Sequence, residues 1–154
     1  VKAYTYLLSV GKENFGRVGQ FSVLNANYIK ESLKDDYLLP IEGICKHEFV
    51  FDGLVDKSNH VTTLDVAKRL LDYGVMAPTL YFPMIVPECL MIEPTETESK
   101  EVLDQFAKDF LTILTEDPEI VTTAPHTTDV GRVDEVWAAR NLILRHPGNP
   151  NLHD

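Results

Sequence analysis

Apolar residues recur at helical spacing in several stretches of the chain and gather into short runs between them. Tyr4, Leu7 and Leu8 predict a helix over residues 2–10, interrupted by Gly11 and Gly16. A second helix is expected from about 15 to 34, with Phe21, Leu24 and Tyr28 as one stripe continued by Ile29 and Leu33. Asn25 and Asn27 lie inside it. Amides there compete for backbone hydrogen bonds, so they need partners in solvent, in neighbouring loops or in a buried contact. His47-Glu-Phe-Val-Phe-Asp52 fits a strand that Gly53 stops. Thr62 or Thr63 then opens a helix with Leu64, Ala67, Leu70 and Leu71 on one face, and Gly74 is well placed just past its end.

The densest signal is Leu90-Met-Ile-Glu-Pro-Thr-Glu-Thr-Glu-Ser-Lys100. Leu90 to Ile92 read as a covered strand, and Pro94, which cannot donate to a ladder, ends it. Thr95 is expected at the N-cap of a helix from about 96 to 115, with Glu98 completing a capping box and Glu96 favouring the positive end of the dipole. The same acids admit a second reading in which one or two of them face a ligand. The helix stripe is Leu103, Phe106, Phe110, Ile113 and Leu114, with Lys100–Asp104 and Asp104–Lys108 as i,i+4 pairs on its other side. Tyr81 to Val86 reads as strand or extended loop, and Pro83 argues for an edge. An irregular stretch is expected after Pro118, then a short helix around Asp134–Arg140 and a loose tail from Pro147. From Phe49 to Leu114 the order is strand, helix, strand or loop, strand, helix. That order predicts an α+β fold with helices packed on one face of a small, mostly antiparallel sheet.

The 154 residues are one domain's worth of chain. A net charge of −10 with 14 scattered basic residues disfavours nucleic acid, whose binding depends on clustered Lys and Arg. No apolar run approaches the ~18 residues that span a bilayer, so membrane insertion is not expected. Cys45 and Cys89 are too few for a disulfide scaffold and read as buried thiols of a cytoplasmic protein, with no spacing that suggests a metal site. The chain begins at Val1 without a signal-peptide pattern, and we expect a piece of a longer protein. It holds no Gly-rich phosphate loop, no G-x-S-x-G elbow and no His-Glu-x-x-His, so no catalytic centre is expected on it. The polar residues that stand out are His47 and Glu48 at a strand start, the acids of 93–98, and His126 with Thr127 and Thr128 in a loop.

Several of these segments carry a resemblance. Leu24-Asn-Ala-Asn-Tyr-Ile29, His47-Glu-Phe49, Asp65-Val-Ala-Lys-Arg-Leu-Leu-Asp-Tyr-Gly74, Ala77-Pro-Thr79, Tyr81-Phe-Pro83, Ile92-Glu-Pro-Thr-Glu-Thr-Glu-Ser-Lys100 and Pro125-His-Thr-Thr128 occur in order along nearly the whole chain. They resemble the C-terminal part of the glycine decarboxylase P-protein family. The Pro-His-Thr-Thr segment and the ending from Ala138 to Arg145 are similar to subunit 2 of the two-subunit bacterial form.

The resemblance implies the small C-terminal domain of a fold-type-I pyridoxal-phosphate enzyme of the glycine cleavage system. Such an enzyme decarboxylates glycine and passes the aminomethyl group to the lipoyl arm of H-protein. The partners implied are subunit 1, lipoylated H-protein and glycine, in an oligomer. The family's cofactor lysine lies in a His-Lys motif before a Gly-rich run, which is absent here, so the chain alone is expected to bind no cofactor and to be inactive. Residues 1–36 are then a helical segment joining the large domain, 37–146 the small domain and 147–154 a tail. His47, Glu93, Thr95, Glu96, His126 and Thr127 are the candidates for the substrate channel or domain interface. Tyr4, Tyr6, Leu7, Leu8, Phe15 and Phe21 exceed what two short helices can bury, so they are expected to pack across the domain or against another copy. The rival reading is a free-standing α+β regulatory module that binds a small molecule.

Overall fold

The structure, a computed structural model, describes residues 1–144; the tail expected from Pro147 and the motif end at Arg145 lie outside them. In chain order the elements are α1 (Lys2–Val10), α2 (Phe15–Leu33), β1 (Phe49–Asp52), α3 (Thr63–Asp72), β2 (Thr79–Leu80), β3 (Cys89–Ile92), α4 (Lys100–Ile113), α5 (Pro118–Thr123) and α6 (Glu135–Arg140). The sheet order is β1-β3-β2, and both pairings are antiparallel, with Phe49 opposite Ile92 and Thr79 opposite Met91. The α+β expectation holds.

Alternation along the strands sorts the two faces of the sheet. Phe49 and Phe51 of β1 and Leu90 and Ile92 of β3 point to the main core, where they meet Ile29, Leu33, Leu70, Phe110 and Ile113 from the helices. Val50 and Cys89 point the other way, onto a small cluster closed by Val86. Tyr37 stands at the middle of the main core, 5.3 Å from the ring of Phe51 and 5.5 Å from that of Phe110. Burial pushes its phenol pKa far up.

Helix α3 is specified at both ends. Thr62 accepts a hydrogen bond from the Asp65 N–H while the Asp65 carboxylate accepts one from the Thr62 N–H, which is a complete capping box. At the other end Gly74 has φ 73°, and the N–H groups of Gly74 and Val75 donate to the carbonyls of Leu71 and Leu70, closing a Schellman turn. Its buried face is Val66, Ala67 and Leu70; Leu64 and Leu71 are only half-buried.

Three expectations need correction, and one alternative is decided. Helix α4 starts at Lys100 with Ser99 as N-cap, and Thr95 is no cap: it has φ 61° in a turn. The cause lies in α2. The Asn25 side-chain amide donates to the carbonyls of Thr95 (2.8 Å) and Glu98 (3.3 Å), which fixes residues 95–98 as a turn and delays the helix. In α2 itself the buried line is Asn25, Ala26, Ile29, Lys30 and Leu33, whereas Phe21 and Leu24 face outward. The polar members turn inward because they have partners: Asn27 accepts from the Cys45 N–H at 3.0 Å and donates to its carbonyl at 2.8 Å, and the Lys30 ammonium donates to the Gly43 carbonyl. Residues 81–86, read as strand or extended loop, take the loop alternative as bends and turns, leaving β2 as a two-residue edge. Finally, the segment after Pro118 opens as helix α5, with Asp117 accepting from the Glu119 N–H and proline at the first position.

The helices α1 and early α2 do not pack across the domain. No residue of α1 is buried, and Tyr4, Tyr6, Leu7, Leu8, Phe15 and Phe21 are all exposed.

Candidate functional site

The candidate residues fall into two separate places. His47, Glu93, Thr95 and Glu96 come together around one open groove of about 420 Å³, whose other wall is Gly19, Ser22 and Val23 of α2. Each is brought there by a different piece of local structure. His47 precedes β1, Glu93 follows β3, and those two strands are hydrogen-bonded neighbours, so His47 Nε2 sits 4.0 Å from Glu93 Oε1 and 3.9 Å from Glu48 Oε2. Thr95 and Glu96 arrive on the turn that Asn25 holds. Thr95 Oγ1 spends itself locally, against Thr97 Oγ1 at 2.8 Å. Glu96 accepts the Tyr6 hydroxyl at 2.5 Å, a bond that lowers the Glu96 pKa and raises that of Tyr6. Glu96 is thereby the tie between α1 and the body of the fold.

His126 and Thr127 lie elsewhere, at the C-terminal end of α3. Asp72 Oδ1 accepts three hydrogen bonds there, from the N–H groups of His126 and Thr127 at 2.7 Å each and from Thr127 Oγ1 at 2.9 Å. Its other oxygen pairs with Arg69 Nη1 at 2.8 Å. Arg69 in turn grips both oxygens of Glu116, at 2.8 and 3.0 Å, and lies over the ring of Tyr73, whose hydroxyl donates to Glu116 at 2.6 Å. Burial acts to raise the Asp72 pKa, but the donors from Thr127 and His126 and the Arg69 guanidinium outweigh it and bring it down to about 2. Glu116 is lowered as well, chiefly by Arg69. This network clamps the Pro125-His-Thr127 segment to the fold.

The clamp also fixes the imidazole of His126. Thr123 Oγ1 lies 2.6 Å from the Glu119 carbonyl oxygen and 3.1 Å from His126 Nε2. A carbonyl carries no proton, so the hydroxyl hydrogen must go to Glu119, and Oγ1 can then only accept from His126. Neutral His126 is therefore the Nε2–H tautomer, and its Nδ1 presents the free lone pair on an exposed side chain.

Sequence reasoning missed Asp72, Arg69 and Asn25. The signal for Asp72 was present: a carboxylate in the last turn of a helix faces the negative end of the dipole, and such an acid needs a tertiary reason. For Asn25 the position was noticed but its partner was not, because the partner is 70 residues away.

A pyridoxal-phosphate centre needs a lysine amine enclosed in a cavity, whereas Lys46, Lys68 and Lys108 border open surface clefts. Lys30 is buried but holds the Gly43 carbonyl and Asn27 Oδ1, and no lysine lines the largest of the cavities described. The residues present do not fit the cofactor. Among the described residues no group of three or more His, Cys, Asp or Glu could hold a metal, and no helix is long and apolar enough to cross a membrane.

Comparison with known proteins supplies the relationship. The family model described as "Glycine dehydrogenase, C-terminal domain" matches residues 18–131. Proteins named "Probable glycine dehydrogenase (decarboxylating) subunit 2" are similar to this chain across most of its length. That of Caldanaerobacter subterraneus subsp. tengcongensis is 55% identical over 148 residues, 94% of this chain and 30% of that protein. That of Staphylococcus haemolyticus is 52% identical over 157 aligned positions, 100% of this chain and 31% of that protein. The chain spans under a third of the length of these relatives.

Proposed function

Since the chain belongs to the family of glycine dehydrogenase C-terminal domains, we propose that it is the C-terminal part of subunit 2 of a glycine decarboxylase of the glycine cleavage system. The observation that carries this reading is the match over nearly the whole chain to proteins about three times as long. As a whole, that protein would decarboxylate glycine with pyridoxal phosphate and pass the aminomethyl group to the lipoyl arm of H-protein, working with subunit 1 in the cytoplasm. The cofactor supplies the electron sink, and the remaining two-thirds of the protein would hold it.

This chain's share is positioning. In our reading α1 and the first half of α2 join the domain to the rest of the protein, and their exposed apolar side chains form the seam. His47, Glu93 and Glu96 would border the approach to the reacting centre, while the Asp72 clamp would set the 125–128 segment with the His126 Nδ1 lone pair directed outward. Thr95 contributes through the turn it shapes. No observation favours the stand-alone regulatory module.

The test is complementation. The preceding part of subunit 2, prepared with subunit 1 but without this domain, should exchange the glycine carboxyl with bicarbonate poorly, and adding the 154-residue chain should restore exchange. The chain alone should form no borohydride-reducible aldimine. Full exchange without the domain, or an aldimine mapped to one of its lysines, would overturn the proposal.

A further inference from the structure

The largest of the cavities described borders the Asp72 clamp at Tyr73 and touches the groove at Glu93. It holds about 680 Å³, between the 73–79 segment, the end of β3 and the outer face of α4, a volume within the range of small-molecule sites. Its walls are mostly apolar: Val75, Ala77, Met91, Val102 and Phe106 among them. Asp109 also lines it, and only 6% of that residue is exposed. The helix places it there by spacing, because Val102, Gln105, Phe106 and Asp109 follow one another on a single face of α4. One Asp109 oxygen accepts the Gln105 amide at 2.6 Å; among the described residues the other receives no donor. Glu93 and Glu98 add negative charge to the lining, and no Lys, Arg or His contributes to it.

The second Asp109 oxygen keeps contact with solvent, since among the described residues no sealed side-chain oxygen lacks a partner, and beside apolar walls such an oxygen is a site for a cation or a hydrogen-bond donor. A metal ion would need further ligands converging on it, which the apolar walls do not provide. A cation carried on hydrocarbon satisfies both the walls and the floor. We propose that this cavity is a binding site for a primary ammonium borne on an unbranched aliphatic chain, with Asp109 as the acceptor of the ammonium. Nothing in this assignment depends on the reaction proposed for the whole protein.

The chain carries its own reporters. Of its three methionines, Met76 and Met91 line the cavity and Met84 does not, so ε-carbon-labelled methionine gives two probes and an internal control. Titration of the 154-residue chain with pentylammonium should shift the Met76 and Met91 methyl signals saturably and leave Met84 still. Pentanoate should bind at least about tenfold more weakly, with pentanol in between. In Asp109→Asn the ammonium should lose about tenfold in affinity while pentanol keeps its own, which also shows that the cavity has survived the substitution. The blocked lysine derivative Nα-acetyl-lysine methylamide separates sources. If it matches pentylammonium the site accepts a lysine side chain of a polypeptide, and if it fails the site takes a free amine. Pentanoate binding as well as pentylammonium, or no saturable shift with the amine in the unsubstituted chain, would overturn the proposal whether or not Asp109→Asn folds.

Discussion

Replacing Asp72 by asparagine tests the clamp with least change in shape. The side chain is 3% exposed, and its carboxylate is held at a pKa of about 2 against 3.8 for the free group. A drop of that size corresponds to about 2 kcal/mol of stability. The sign follows from the direction. Because the folded pKa lies below the unfolded one, the contribution is present in full above about pH 5 and is lost as pH falls toward 2. Asparagine keeps an acceptor but adds an amide N–H₂, which must face either Arg69 or the donors of His126 and Thr127. Asp72→Asn should therefore lower stability at pH 7 by at least about 2 kcal/mol, read from urea unfolding followed by circular dichroism. The gap to the parent should narrow to roughly half by pH 3, since the unfolded parent is then mostly protonated at Asp72 while the folded one must still keep its carboxylate ionised. Amide exchange adds a local readout: the N–H groups of His126 and Thr127 should lose protection in the variant even in the folded state. A gap below about 0.5 kcal/mol at pH 7, or one that does not change with pH, would refute the assignment of Asp72 as an ionised anchor.

Three further outcomes are expected. Asn25→Ala strips the donors from the carbonyls of Thr95 and Glu98 and should cost about 1–3 kcal/mol in urea unfolding, with exchange broadening of residues 95–98 in NMR spectra. In the neutral chain, nitrogen-15 shifts should show His126 as the Nε2–H tautomer, and Thr123→Val should release that preference; an Nδ1–H form in the parent would contradict the hydroxyl argument. Phe110→Ala, at a fully buried ring against Tyr37 and Phe106, should destabilise by about 3–5 kcal/mol, and a loss under 1 kcal/mol would mean that the core is not centred there.

The elements that read correctly from the sequence are those whose cause is local. The helix opening at Thr62 or Thr63, the Gly74 turn and the strand through Phe49, Val50 and Phe51 each need only neighbours within a few residues. The failures have distant causes. Thr95 has every local mark of an N-cap, with Glu98 three residues on, yet an amide on α2 occupies the carbonyls around it. The stripe through Phe21 and Leu24 is helical and apolar, but the domain buries Asn25 and Lys30 instead, because the 95–98 turn supplies partners for Asn25 and the 43–45 loop those for Lys30 and its neighbour Asn27. Periodicity gave the helix without giving the side that packs.

The same division explains why the candidate site was half legible. His47 and Glu93 could be paired in advance only by knowing that β1 and β3 are neighbours with Phe49 opposite Ile92, which puts the residues just outside each strand end side by side. His126 was visible as a loop histidine, whereas its orientation depends on Asp72 and Thr123, one distant and one near. Both halves are held by residues that touch no groove themselves. The exposed apolar side chains of α1 and early α2 fit the same logic from outside, for the core from Ile29 to Val121 closes without them. They add nothing to the domain's own packing, so what selects them must lie on the surface they meet. The relatives are about three times as long as this chain, and in the reading proposed above that surface is the rest of such a polypeptide, with the tie from Tyr6 to Glu96 carrying the seam's position directly to the rim of the groove.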